Sequence, residues 1–233
     1  RRLKQAGVLG INGRNASFLL RANHRSRYPL VDDKLITKQL AIKAGLSVPE
    51  LYCVIEHEGD IAGLPAKMRE LSDFVIKPAQ GSTGDGIIVI TGRVRDAYRT
   101  AGGSLLTEEF LLHHVSNALA GLYSLGGHAD RVFLEQRVLS DPIFNAISYQ
   151  GVPDVRIVVY MGVPVMAMVR LPTRISDGKA NLHQGAIGVG IDIRTGTTLT
   201  AVFRNGIVTE HPDTGQPVGG MQIPRWGELL GIA

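Results

Sequence analysis

Two runs of β-branched and aromatic residues, Phe74–Ile76 and Ile87–Ile90, flank a loop that carries Gly81, Ser82, Thr83, Gly84 and Gly86. Such runs read as strands. Glycine has no Cβ, so the loop can bend tightly. Its successive N–H groups can then turn inward to form a concave anion site. Lys77 ends the first strand and adds a point charge suited to phosphate. One reading is a strand–loop–strand flap that closes over a nucleoside triphosphate. The other is an ordinary hairpin with a glycine loop and a surface lysine whose ammonium is mostly solvated. The residues alone leave both open. The loop is not a Walker phosphate loop, because no Gly-Lys-Ser/Thr follows and the next element is a strand rather than a helix.

The 233 residues are 44% hydrophobic and 20% charged, an ordinary globular balance with enough chain for one large domain or two modest ones. The net charge of +4 suits an anionic ligand. No dense Lys/Arg stripe is evident, and one Trp and six Phe offer few stacking platforms, so no nucleic-acid partner is expected. The single cysteine, Cys53, excludes an internal disulfide framework and suits a reducing compartment such as the cytoplasm. It lies in the apolar run Leu51–Ile55, where a buried thiol rather than a nucleophile is expected. No apolar run reaches membrane-spanning length. No signal peptide is visible in a chain that starts at Arg1. No membrane partner is therefore expected.

Residues 1–50 read as a helical segment. Asp32 or Asp33 caps a helix that runs to about Ala44, with Leu35, Ile36, Leu40 and Ile42 on its apolar face and Gly45 as its stop. Residues 51–137 form a small lobe: the strand Leu51–Ile55, a helix over Asp60–Leu71 broken early by Gly63-Leu64-Pro65, the glycine flap, a helix over Arg95–Ala120, a loop or linker at Gly121–Gly127, and a strand over Val132–Val138. Residues 138–233 form a larger lobe. Ser140–Gly151 is a polar loop. Asp154–Tyr160 and Pro164–Arg170 make an antiparallel hairpin. Ile187–Ile193 and Thr197–Phe203 make another pair, and Asn205-Gly206 is a turn. The polar, glycine-rich stretch 174–190 holds the donors Lys179, Asn181, His183 and Gln184 and reads as ligand-facing. His183 has no second His or Cys at ligand spacing, so zinc is not expected.

The order Lys77 before a glycine loop, then FLEQRV, DVR and KANLHQGA resembles the ATP-grasp carboxylate–amine ligases. The Asn181–Gly185 element resembles that of the glutamate ligases that modify a ribosomal protein's tail. The segments YPLVDDKL, VIKPAQGS, GVPDVR, VMAMVRLPTR and HPDTG are closer to the alpha-L-glutamate ligase-like proteins, which are related to sugar-transfer-associated ATP-grasp proteins. The resemblance covers nearly the whole chain. It implies an α+β ATP-grasp fold, with two lobes whose antiparallel sheets grip ATP, and Mg²⁺ as the accompanying cation. It also implies cytoplasmic ADP-forming ligation of a carboxylate to an amine through an acylphosphate, with glutamate or another amino acid added to an acceptor. Small-molecule or peptide substrates are implied, and homo-oligomers are allowed. A catalytically degenerate ATP-binding module and a small-molecule phosphotransferase are the alternatives on the same fold.

Carried over by position, the resemblance puts Lys77 and, from the early helix, Lys34 on the nucleotide. Gly81, Ser82, Thr83, Gly84 and Gly86 fall in the covering flap. Glu135, Gln136, Arg137 and Val138 fall at the hinge and the adenine, although the Glu135 carboxylate can instead point into the core edge. Asp154 falls on the ribose, and Lys179 and Asn181 on the phosphate end. Arg156 and Arg170, on adjacent strands, are expected to share one face and hold the transferring phosphoryl group and the carboxyl substrate. Asp154 is also close enough in sequence to pair with Arg156. The family's metal carboxylates lie in an Asp and a Glu-x-Asn run. No such run occurs in residues 1–233, so the resemblance implies a larger lobe, 138–233, that is incomplete at its C-terminus and lacks the metal-binding strands, and no metal ligand is assigned. Asp192 and Asp213, in a turn or at a strand edge, are not expected to serve.

Overall fold

The computed structural model describes residues 2–81, 84–124 and 126–233, with the side chain of Leu3 left out. The chain divides into two units, Arg1–Val48 and Pro49–Ala233. In the first, Ile11–Arg14 continues through the π turn Asn15–Leu19 into Leu20–Ala22, and the longest helix is Lys34–Lys43. Asp33 is its N-cap: Oδ1 accepts from the Leu35 and Ile36 N–H groups at 2.9 and 3.1 Å. Such a cap stabilises by about 1 kcal/mol. At the other end Gly45 takes φ +72°, the Leu46 N–H returns to the Ala41 carbonyl and the Gly45 N–H to that of Ile42. That is a Schellman closure, which glycine permits without a Cβ penalty. The expected apolar face holds only in part. Leu35 and Lys38 are buried, whereas Leu40 and Ile42 are exposed. Leu40 sits about 140° round the helix from Leu35, too far to share its stripe.

The second unit contains two antiparallel sheets. The first has six strands: β1 (Leu51–Ile55), β2 (Phe74–Pro78), β3 (Ile88–Val94), β4 (Ala97–Thr100), β5 (Leu105–Thr107) and β6 (Val132–Glu135), in the order β1-β6-β2-β3-β4-β5. The helix Glu108–Leu119, capped by Thr107 Oγ1, and the helix Leu64–Glu70 supply Leu111, Val115, Leu64 and Met68 to its core, where they meet Phe74, Ile76, Ile90 and Leu134. The helix expected from Arg95 begins instead at Glu108. Ahead of it, Arg95 and Gly103 take positive φ and close the turns before and after β4. Tyr98 is thereby buried edge-on against Phe74. Gly121–Tyr123 and Gly126 are turn residues inside this unit rather than a linker between units.

The second sheet has the order β11-β10-β9-β8-β7, from β7 (Asp154–Tyr160), β8 (Val163–Leu171), β9 (Ile187–Ile191), β10 (Thr198–Phe203) and β11 (Gly206–Val208). Both strand pairs expected in this half form, β7 with β8 and β9 with β10. The expected Asn205-Gly206 turn sits one residue earlier, because Gly206 already pairs with Phe203 as the first residue of β11. Arg204 and Asn205 both adopt left-handed φ, as the two central residues of a type I′ turn must. Val169, Leu171, Ile187, Val189 and Ala201 build its core, closed by Trp226 of the helix Trp226–Ile232. Gly196 leaves room for that indole, since a Cβ there would stand 2.4 Å from it.

Candidate functional site

A cleft of about 1540 Å³ lies in the second unit, and both sheets contribute to its walls. Most ligand pockets hold roughly 300–1,000 Å³, so this one has room for more than one reactant. Lys77, Glu135, Gln136, Arg137 and Val138 line it from the first sheet and its exit; Asp154, Arg156, Arg170, Lys179 and Asn181 line it from the second.

On the first-sheet side, Lys77 stands opposite Phe133 and Glu135 opposite Val75, so the two charged residues are diagonal neighbours on one face. The ammonium donates to Glu135 Oε1. The Glu135 side chain is 5% exposed and that of Lys77 28%. The expectation of a mostly solvated lysine is therefore corrected: strand pairing sets it against a buried carboxylate. Gln136 leaves the sheet through a reciprocal tie, its N–H donating to the Glu50 carbonyl at 2.8 Å and its Oε1 accepting from the Glu50 N–H. Arg137 pairs with Asp73 at 3.3 Å.

The glycine loop is held at both ends by residues that sequence reasoning did not single out. At its start the buried carboxylate of Asp130 accepts the Gln80 N–H, and Gly81 bridges to Ser124. At its end the Gly86 carbonyl meets His114 Nε2 at 2.9 Å. A carbonyl only accepts, so Nε2 carries the proton and Nδ1 takes the Tyr123 hydroxyl at 3.1 Å. Burial pushes the His114 pKa below its ordinary value, in keeping with this neutral ring. Gly86, at φ +76°, has Tyr123 where a Cβ would go. Gly84 lines the cleft, whereas Gly81 and Gly86 anchor the loop outside its lining. Ser82 and Thr83 lie outside the described residues.

On the second-sheet side, Asp154 and Arg170 are directly opposed across β7 and β8. Arg170 forms a two-pronged bond to the carboxylate, with Nε to Oδ1 at 2.6 Å and Nη2 to Oδ2. This contact raises the guanidinium pKa further. Asp154 thus pairs with Arg170 and not with Arg156. Two residues on along the same face, Arg156 is exposed and opposes Met168. Among the described residues no side-chain partner reaches it. The expectation that the two arginines share a face holds in register.

The segment carrying Lys179 and Asn181 is braced from below. Thr173 and Ser176 exchange hydrogen bonds, and the buried His211 meets the Pro172 carbonyl at 2.9 Å. Asp213 accepts the Arg174 N–H at 2.7 Å. The His211–Asp213 run therefore buttresses the loop. Gly151 packs so closely that a Cβ would stand 1.8 Å from the Gly178 carbonyl oxygen. Asn181 Oδ1 caps the short turn Leu182–Gln184 through the His183 N–H.

Lys34 opens the helix Lys34–Lys43 of the first unit. Burial raises the Cys53 thiol pKa, away from nucleophile behaviour. Five cationic side chains line the cleft against the three carboxylates Glu135, Asp154 and Asp177, and Val75, Ile88, Leu106, Val138 and Leu139 add apolar wall. A polyanion attached to an aromatic base fits this lining. A divalent cation does not find a ready cage: among the described residues no three His, Cys, Asp or Glu side chains converge. Glu135 and Asp154 are each bonded to a cation. Asp192 accepts the Arg194 N–H within its own turn.

A family model described as sugar-transfer associated ATP-grasp matches residues 13–233. No curated protein matches the chain.

Proposed function

The chain belongs to the sugar-transfer associated ATP-grasp family, and on that premise we propose that it is an ATP-dependent, ADP-forming carboxylate–amine ligase. The observation that carries the reading is the shared cleft, where a two-sheet wall gathers Lys77, Arg156, Arg170, Lys179 and Asn181. A carboxylate oxygen of the acid attacks the γ-phosphorus, and the bond to the β-phosphate oxygen breaks as ADP leaves. The amine nitrogen then attacks the acyl carbon, the bond to phosphate oxygen breaks, and the nitrogen gives up a proton. The acid or the amine is an amino acid such as glutamate, or a peptide bearing the same groups.

In this reading Lys77 and Lys179 hold the phosphates. Arg156 has donors to spare and contacts the transferring phosphoryl group, whose growing negative charge it stabilises. Both bonds of Arg170 go to Asp154, so Arg170 orients that carboxylate while the remaining lone pairs of Asp154 accept from a ribose hydroxyl. Val138 and the apolar wall take the adenine. Among the described residues the carboxylates supply no magnesium cage, and no step above rests on one. A module that binds ATP without turnover is the second reading, favoured by two of the three cleft carboxylates already being bonded to cations.

The test is a coupled assay over a panel of acids and amines. Release of ADP and phosphate that requires both substrates supports the ligase. ATP binding by calorimetry with no product under any pair supports the binding module. AMP and pyrophosphate as products overturn the class.

A further inference from the structure

The positive charge of this protein is segregated. Residues 1–48 carry ten Lys and Arg against two Asp, a net +8. The whole chain is +4, which leaves −4 on residues 49–233. Through residue 31 there is no acidic side chain at all. The same unit leaves large apolar side chains in water: Leu9 is 52% exposed, Ile11 67%, Leu20 49% and Val31 70%. The helical run 11–22, which passes through the π turn Asn15–Leu19, interleaves the exposed Ile11, Phe18, Leu19 and Leu20 with Arg14 and Arg21. The 3₁₀ turn Arg25–Arg27 adds two more arginines.

We propose that the unit Arg1–Val48 docks on an anionic lipid surface, its exposed apolar side chains entering the acyl boundary and its arginines pairing with headgroup phosphates. Basic helical segments that also expose large apolar side chains are of the kind that lie in the membrane interface. The expectation of no membrane partner rested on the lack of a spanning run, and among the described residues no helix is long and apolar enough to cross a bilayer. An interfacial helix needs no such run. Nucleic acid fits the charge but leaves the aliphatic side chains unused, and Phe18 and Tyr28 are the unit's only aromatic side chains for stacking. A second copy would set +8 against +8.

The experiment is co-sedimentation of the 233-residue chain with phosphatidylcholine vesicles, neutral or holding about one-third phosphatidylglycerol. Binding to the anionic vesicles about tenfold above the neutral ones is expected, weakened as salt rises from about 0.1 M to about 1 M. Arg21→Glu and Ile11→Ser are each expected to lower binding at least several-fold, with the thermal unfolding midpoint unchanged. Arg14→Glu serves where either variant is destabilised. Equal binding to both vesicle types, or none, overturns the proposal. So does a loss with Arg21→Glu but none with Ile11→Ser, which assigns a polyanion surface without lipid insertion. So does self-association that Ile11→Ser abolishes, read by sedimentation equilibrium.

Discussion

Lys77 and Glu135 sit diagonally across β2 and β6, the ammonium of one bonded to the nearly buried carboxylate of the other. A buried pair is costly to break by halves, because the survivor is left as an uncompensated charge. Lys77→Ala is therefore expected to lower stability by about 3 kcal/mol as well as to remove ATP affinity. Lys77→Met with Glu135→Leu is expected to regain most of the stability and none of the affinity. Chemical denaturation and calorimetry on the same samples separate the two effects.

Arg156 offers the opposite case. It is exposed and holds no side-chain partner among the described residues, so Arg156→Ala is expected to change stability by less than about 0.5 kcal/mol. Turnover is expected to fall about 10²–10³-fold if the side chain meets the developing phosphoryl charge. Arg170→Ala, by contrast, strips Asp154 of its partner; it is expected to lower kcat more than nucleotide affinity and to cost stability too. Steady-state kinetics beside thermal unfolding distinguish the pair.

The buried His114 ring makes a signed prediction about pH. Its folded pKa lies below its unfolded value, so the unfolded chain binds the proton more readily. The stability this neutral ring contributes is complete above about pH 6.5 and is lost as pH falls through the lower folded value. The unfolding midpoint should drop from pH 7.5 to pH 5.5. His114→Gln, which keeps an N–H for the Gly86 carbonyl, should flatten that slope.

Gly151→Ala places a methyl where the Gly178 carbonyl already stands. Overpacking of this kind costs about 1–3 kcal/mol. Because the displaced backbone leads into Lys179, the variant is expected to weaken ATP binding as well. Gly59→Ala, where a Cβ would find open space, is the control.

What the sequence revealed was whatever local pattern dictates. The strands either side of the glycine loop, the hairpin that opposes Asp154 and Arg170, the Asp33 cap and the Asn205-Gly206 turn each depend on neighbours a few residues away. The partner of Lys77 was hidden because it depends on β6 entering the sheet between β1 and β2, 58 residues later. His114 was hidden in the apparent long helix Arg95–Ala120 and Tyr123 in the glycine-rich stretch after it, and nothing local signals that the two rings meet at the end of the glycine loop. His211 stood out only as the first residue of the HPDTG segment, and only the fold reveals that its imidazole braces the Pro172 carbonyl beneath the ligand-facing loop.

The sheet order β1-β6-β2 bears on any attempt to dissect this protein. The last strand of the first sheet to be synthesised is an interior one, zipped to β1 on one flank and β2 on the other. A fragment cut at residue 130 would keep β1 and lose the only rung that joins it to the remaining four. Neither half could rescue itself by shifting register, since the gap is a whole strand wide. Expression of residues 49–130 alone should yield aggregate, and supplying residues 131–233 in trans should restore a soluble pair.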